Sequence, residues 1–233
     1  MSTLLTLNNA SLELNHKLCL HKLNANIASN GISIIMGANG AGKTLFLKLC
    51  AGIIMPTAGD INYASPLVSV VQHPQTTFVP QQPVLLRRSA AENIALPLRC
   101  SGADNLKQRV SDALEWAQIS ALATTPIVNL SVGQQQLVAL ARAWALQPKL
   151  LLLDEPCANL DPQRVQLIEQ LIRTLDQQGC KIIMSSHNIT QVKRLADDII
   201  FMSTGTIIEH QNATAFFTQT MNADIQQFME YSQ

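Results

Sequence analysis

The octapeptide Gly37-Ala38-Asn39-Gly40-Ala41-Gly42-Lys43-Thr44 puts a lysine and a hydroxyl directly after a glycine-rich stretch. Gly37, four residues, then Gly42-Lys43-Thr44 is the spacing of a loop that cradles nucleotide phosphates. Glycines let the backbone turn tightly and aim several N–H groups at one anion. Lys43 would reach the β- and γ-phosphates, and the Thr44 hydroxyl would ligate Mg²⁺. The spacing is not that of a dinucleotide-binding GxGxxG turn.

Further downstream, Asp154-Glu155 follows the apolar run Leu150–Leu153. Asp154 would hold Mg²⁺, and Glu155 would polarise an attacking water as general base. On its own the pair also fits a solvated acidic turn before Pro156; the phosphate loop upstream favours the catalytic role. His187 follows the apolar segment 181–184 through Ser185-Ser186. It could touch the γ-phosphate, or be a surface histidine near a helix cap. Gln81 follows segment 77–79 and could meet Mg²⁺ and water, although locally nothing separates it from Gln72, Gln75 or Gln82. Ser131 with Gln134 three residues on forms a capping box. The same capped helix start, with the Ser131 and Gly133 N–H groups, is also an anion site, and if the phosphate belonged to a partner subunit it would act across an interface.

These groups need a scaffold that brings them to one edge. Ile32–Met36 reads as a buried strand feeding the loop, and 44–49 as the apolar helix whose N-terminus faces the phosphates. Ahead of it, 4–7, 12–14 and 23–27 read as short strands of an antiparallel layer. Residues 56–60 read as a turn, followed by strands near 67–71 and 77–79. Residues 84–146 become mostly helical: Leu106, Val110 and Leu114 lie on one helix face, and Leu137, Leu140, Ala141 and Trp144 on another. From Lys149 the pattern is strand–helix–strand. Asp161-Pro162 starts a helix with the apolar stripe Val165, Ile168, Leu171, Ile172, Leu175, Gly179 ends it, and 198–202 with 206–209 form a hairpin. The expected fold is α/β: a mainly parallel sheet in a nucleotide-hydrolase core, an N-terminal antiparallel β subdomain and an inserted helical subdomain, all within one domain spanning 1–233.

Composition narrows the classes. Lys+Arg and Asp+Glu both number 16, so no net charge draws nucleic acid, and none is expected as a partner. Five scattered cysteines without CxxC spacing read as reduced cytosolic thiols. No stretch approaches 18 uncharged apolar residues, and the N-terminus lacks a signal-peptide pattern.

Together these segments resemble the ATP-binding subunit of the ABC transporter superfamily. GANGAGKT is similar to its Walker A, VPQQP to its Q-loop with Gln81 the matching residue, and LSVGQ to its LSGGQ signature. LLLLDEP is similar to its Walker B, ANLD (Ala158 to Asp161) to its D-loop, and SSH, ending in His187, to its switch region. The motifs come in family order along essentially the whole chain. The resemblance implies two copies facing head to tail, the second a copy of the chain or a homologous ATPase subunit, closing on two ATP molecules. Lys43, Thr44, Gln81, Asp154, Glu155 and His187 would act in cis, and Ser131, Gly133 and Gln134 in trans. It also implies an importer whose transmembrane permease is a separate chain, sensed through Gln81, with a substrate-binding protein acting through that permease. The subunit would then be cytoplasmic, on the inner face of the membrane.

Two departures stand out. Val132 replaces the first glycine of the signature, and 11–16 has no aromatic residue to stack on adenine, so that Leu14 or His16 must substitute. The alternatives are a soluble ABC ATPase outside transport, which would usually carry tandem cassettes or a coiled-coil insertion, and a GTPase or kinase, which would leave LSVGQ unexplained. For cargo, PVLLRRS at 83–89 with the following AAENI resembles the ATPases of tungstate importers, whose relatives carry molybdate. Arg87 and Arg88 would pair with acidic groups on the permease, or else form a solvated basic turn.

Overall fold

The computed structural model describes residues 2–64, 75–219 and 222–231. Two twelve-residue strands, β1 (Thr3–Leu14) and β2 (Lys17–Ala28), pair antiparallel through the two-residue turn Asn15-His16. Both turn residues have positive φ (50° and 60°), as a type I′ hairpin requires. β3 (Ile32–Met36) is buried along its whole length and leads into α1 (Lys43–Cys50). β4 (Ala58–Tyr63) returns to pair with β1, completing a three-stranded sheet of order β2-β1-β4.

The second half alternates between strands and helices. β5 (Thr76–Val79) precedes three helices, α2 (Ala90–Cys100), α3 (Leu106–Trp116) and α4 (Val132–Ala145), which pack on one another. Then follow β6 (Leu150–Leu153), α5 (Pro162–Gln177), β7 (Lys181–Ser185), α6 (Ile189–Leu195), β8 (Asp198–Ser203), β9 (Thr206–Asn212), α7 (Ala213–Gln219) and α8 (Ala223–Tyr231). The large sheet has the order β5-β6-β7-β3-β8-β9, parallel except for the β8–β9 hairpin. β6 reads as an uninterrupted apolar run, and β3, β7 and β8 as nearly so, because helices and the small sheet cover both faces. One core lies between this sheet and the helices, holding Ile34, Leu151, Ile172 and Phe201; the other lies beneath β1–β2 and α1, holding Leu5, Leu20, Phe46 and Ile183.

The chain departs from the sequence expectation in three places. Segments 4–7 and 12–14 are one strand: Asn9, at φ 49°, inserts a bulge that shifts the β1–β2 register between Leu7 and Ala10 without ending the pairing. Segment 23–27 is the second half of β2. Residues 58–60, expected as part of a turn, begin β4, because pairing with β1 overrides the low strand preference of Ala-Gly-Asp. The strand expected near 67–71 lies outside the described residues, as does Gln72.

Parallel register sets the functional edge. Val79 pairs with Leu153, Leu153 with Met184, and Ile35 with Ser185, so β5, β6, β7 and β3 end level with one another. The loops leaving these four strands carry Gln81, Asp154, His187 and the glycine-rich loop. Ligands of open parallel sheets bind at this carboxyl edge.

Candidate active site

The glycine-rich loop is shaped by how close it passes to its neighbours. Gly37 has φ 142°, and a Cβ there would lie 2.1 Å from the Met202 backbone oxygen. Gly42 has φ 103° and stands as the N-cap of α1; a Cβ there would meet Leu20 Cδ2 at 2.7 Å. Either side chain would push the loop off β8 or off the small sheet. No side chain caps α1, so its first-turn N–H groups are left for a ligand, at the positive end of the helix. Lys43, only 7% exposed, folds over the loop and donates from Nζ to the carbonyls of Gly37 (2.9 Å) and Ala38 (3.3 Å).

The opposing wall is a carboxylate pair held by one hydroxyl. Asp154 Oδ2 accepts from Thr44 Oγ1 at 2.6 Å, and its Oδ1 accepts from Ser185 Oγ at 2.7 Å. The same Ser185 Oγ accepts from the Glu155 backbone N–H at 2.9 Å, where the backbone passes through φ 46°. Glu155 Oε2 lies 2.9 Å from His187 Nδ1, and its Oε1 lies 3.8 Å from Lys43 Nζ. Glu155 is therefore held on both oxygens, facing the phosphate loop.

A cleft of about 470 Å³ is lined by Asn39, Gly40, Ala41, Gly42, Lys43 and Thr44 together with Gln81, Asp154, Glu155 and His187. Gly37 and Ala38 stand behind it as acceptors for Lys43. The Thr44 hydroxyl, Asp154 carboxylate and Gln81 amide are oxygen donors that suit a hard divalent cation. Among the described residues no three His, Cys, Asp or Glu side chains gather as a metal site. A cation here would complete its shell with phosphate oxygens, as Mg²⁺ commonly does.

Other sequence-expected residues lie away from the cleft: Leu14, His16, Ser131, Gly133 and Gln134 are not among its lining. His16 sits fully exposed at the β1–β2 hairpin tip, 3.9 Å from Glu13, with Leu14 40% exposed beside it. Ser131, Gly133 and Gln134 open α4 away from the cleft. The Ser131 hydroxyl accepts from the Gln134 N–H at 3.3 Å, and the Gln134 side chain accepts from the Ser131 N–H at 2.9 Å, completing the capping box. Val132 next to it is 66% exposed. Sequence reasoning passed over Ser185, which seats both carboxylates; its signal was a hydroxyl at the end of a buried strand level with the Asp-Glu pair. Ala158 and Asn159, the first two residues of the ANLD segment, complete the cleft rim.

Fold and cleft together define a nucleotide-binding protein of the phosphate-loop type. Residues 20–158 match the model of the ABC transporter family. The tungstate uptake system ATP-binding protein TupC of Peptoclostridium acidaminophilum is 39% identical over 192 residues, which cover 81% of this chain and 88% of that one. The sulfate/thiosulfate import ATP-binding protein CysA of Mesorhizobium japonicum is 35% identical over 198 residues, 81% of this chain and 57% of that protein, so the chain spans little more than half its length. A solved dimeric ATP-binding cassette, in a post-hydrolysis state bound to ADP and Pi, superposes with a TM-score of 0.81 at 27% identity, covering 89% of this chain and 98% of that one. The chain belongs to the ABC transporter family, as an ATP-binding ATPase.

Proposed function

We propose that this ATPase is the energy-coupling subunit of an importer, working as a pair against a separate membrane permease. The observation that carries the reading is the seat of Glu155, between Lys43 and His187 and facing the phosphate loop, while the capped signature helix opens elsewhere with Ser131 and Val132 exposed. One copy thus supplies a phosphate cradle and a base. Ser131, Gly133 and Gln134 of a second copy, or of a homologous ATPase subunit, would complete the site from across a two-fold axis. The solved relative bound to ADP and Pi is itself dimeric.

In this reading the α1 N-terminus and the loop N–H groups bind the phosphates of ATP, and Lys43 moves from the Gly37 and Ala38 carbonyls to the β- and γ-phosphates. Thr44, Asp154 and Gln81 hold Mg²⁺, which supplies charge neutralisation at the phosphates. Glu155 takes the proton of the attacking water, with His187 fixing the carboxylate's orientation and reaching the γ-phosphate. Gln81 also senses the permease. The exposed hairpin tip brings Leu14 or His16 to the adenine ring. The 37–44 loop, Gln81 and the Asp154-Glu155-His187 edge form the catalytic unit, with the helices within 84–146 as its inserted subdomain.

Among the described residues no helix is long and apolar enough to cross a membrane; as the ATPase subunit of an importer it would work peripherally, on the cytoplasmic face beside the permease. We take the cargo to be tungstate or molybdate, delivered by a substrate-binding protein. The 39% identical relative is named for tungstate uptake. The sulfate/thiosulfate relative supports a second reading, another small solute. Co-purification with a multispan membrane protein tests transport against a soluble ABC ATPase. Reconstitution in lipid with that permease and its binding protein tests the cargo: ATPase activity rises with tungstate or molybdate, and stimulation by an amino acid, a sugar or phosphate instead overturns the cargo while leaving the ATPase role.

A further inference from the structure

Between the start of α4 and the start of α5 stands a cation that lies outside the cleft and pairs with a single carboxylate. Arg164, in the first turn of α5, lays its side chain across Gly133. A Cβ on Gly133 would come within 2.3 Å of Arg164 Cδ and 2.9 Å of its Nε, and 3.3 Å from Leu160 Cδ2. Glycine at 133 therefore accommodates the arginine stem, and the guanidinium is fixed beside the residue whose N–H opens the signature helix. Arg164 Nη1 donates to Asp161 Oδ2 at 2.8 Å, while Asp161 Oδ1 accepts the Arg164 backbone N–H at 3.0 Å. Asp161 thus caps α5 and aims the guanidinium in one motif.

A guanidinium carries five N–H donors. Asp161 takes one of the side-chain donors of Arg164; the rest meet no protein acceptor among the described residues, and the side chain is 36% exposed. A planar donor fork, held in place with most of its donors free, next to a helix N-terminus, matches phosphate geometry.

We propose that Arg164 binds the γ-phosphate of the ATP held by the partner copy, adding a charged donor to Ser131 and Gly133 across the dimer interface. This rests on the proposed trans role of the signature helix. The nucleotide's own subunit grips it with Lys43 and α1. Arg164 would then contribute only when the pair closes, so its binding energy favours the closed dimer over the open one.

Three chains test this, each in the Glu155→Gln background that retains ATP: Arg164 intact, Arg164→Met and Arg164→Lys. Methionine keeps an apolar stem over Gly133 and removes the charge; lysine keeps the charge without the fork. ATP affinity of the monomer and ATP-driven dimerisation by light scattering are measured for each. The expected result is unchanged monomer affinity, dimerisation weakened by about tenfold or more in Arg164→Met, as for a lost charge-assisted hydrogen bond, and partial recovery in Arg164→Lys. Dimerisation of Arg164→Met within about twofold of the parent overturns the inference, since about 0.4 kcal/mol is below one such bond. So does equal weakening in both variants accompanied by lowered thermal stability, the mark of a packing role. Absence of an ATP-driven dimer with Arg164 intact overturns the trans reading and this inference with it.

Discussion

Glu155 Oε2 and His187 Nδ1 are 2.9 Å apart, with the glutamate side chain 12% exposed and the histidine 60%. A sheltered carboxylate is thus oriented by a group that reaches it from the solvent side. Its other oxygen lies 3.8 Å from Lys43, so the base and the phosphate-binding lysine are positioned together. Glu155→Gln keeps size and hydrogen bonding while removing basicity. ATP binding should survive, and phosphate release should fall by about 10²–10⁴-fold, the range for a general base. His187→Ala should lower the rate less, because the carboxylate remains. A Glu155→Gln chain that hydrolyses ATP near the wild-type rate removes the base from position 155.

Ser185 joins the two carboxylates, donating to Asp154 and accepting from the Glu155 backbone at full burial. Ser185→Ala leaves a buried acceptor and a buried donor without that partner, at a cost of about 1–3 kcal/mol. Melting temperature should drop, and ATPase activity should fall because both Asp154 and Glu155 lose a common seat. Ser185→Ala with unchanged melting and unchanged kcat would show that Thr44 and His187 alone hold the pair.

The parts of this site legible in the sequence are those written in adjacent residues. The glycine spacing of 37–44, the short apolar run at Ile32–Met36, the continuous one at Leu150–Leu153, and Asp154-Glu155 directly after the latter each carry their own local signal. What joins them is not local. Thr44 meets Asp154 across 110 positions, and Ser185 meets Asp154 across 31. A serine before a histidine looks like any strand end until the register of β6 and β7 sets it against the Asp-Glu turn. The bulge at Asn9 reads as a turn for a similar reason, since only the partner strand reveals that pairing continues beyond it. Nothing in the sequence reports that the Arg164 side chain lies over Gly133, 31 positions away.

At the opposite end of the sheet Lys181 is fully buried, donating from Nζ to Ser33 Oγ at 2.7 Å and to the Asn30 carbonyl at 3.0 Å, with Asp198 Oδ1 at 3.9 Å. Burial pushes the Asp198 carboxyl up, but the hydrogen bond with His210, the Lys181 charge and the Ser33 hydroxyl outweigh it and hold it below the usual carboxylate value of 3.8. The folded chain then binds fewer protons at this group than the unfolded one. Its stabilisation is therefore complete above about pH 5 and is lost as pH falls through 3.8 towards the lower folded value. Asp198→Asn should lower the melting temperature at pH 7, and the gap to wild type should close between about pH 5 and pH 3. A gap that stays constant across that range would show that Asp198 contributes through packing rather than charge.

The two arginines expected at a permease contact differ in their surroundings, and that difference shapes the test. Arg88 Nη1 stands 3.9 Å from Glu92 Oε1, and Glu92 also closes the Ser89 capping box of α2. Reversing charge at 88 places two carboxylates together at a helix start and disturbs the cap, so its effect would mix folding with binding. No ion pair is formed by Arg87 among the described residues, and the nearby Val84 and Leu86 are exposed at 76% and 42%. Arg87→Glu is therefore the cleaner probe. If Arg87 pairs with acidic groups of a membrane partner, the variant should co-purify with less permease at low salt, while ATP binding by the isolated subunit stays unchanged. The deficit should shrink as ionic strength rises towards about 1 M, where screening shortens to roughly 3 Å and the wild-type contact weakens too. Equal recovery of permease by wild type and Arg87→Glu at low salt would leave Arg87 as a solvated turn residue and move the contact to the exposed apolar side chains beside it.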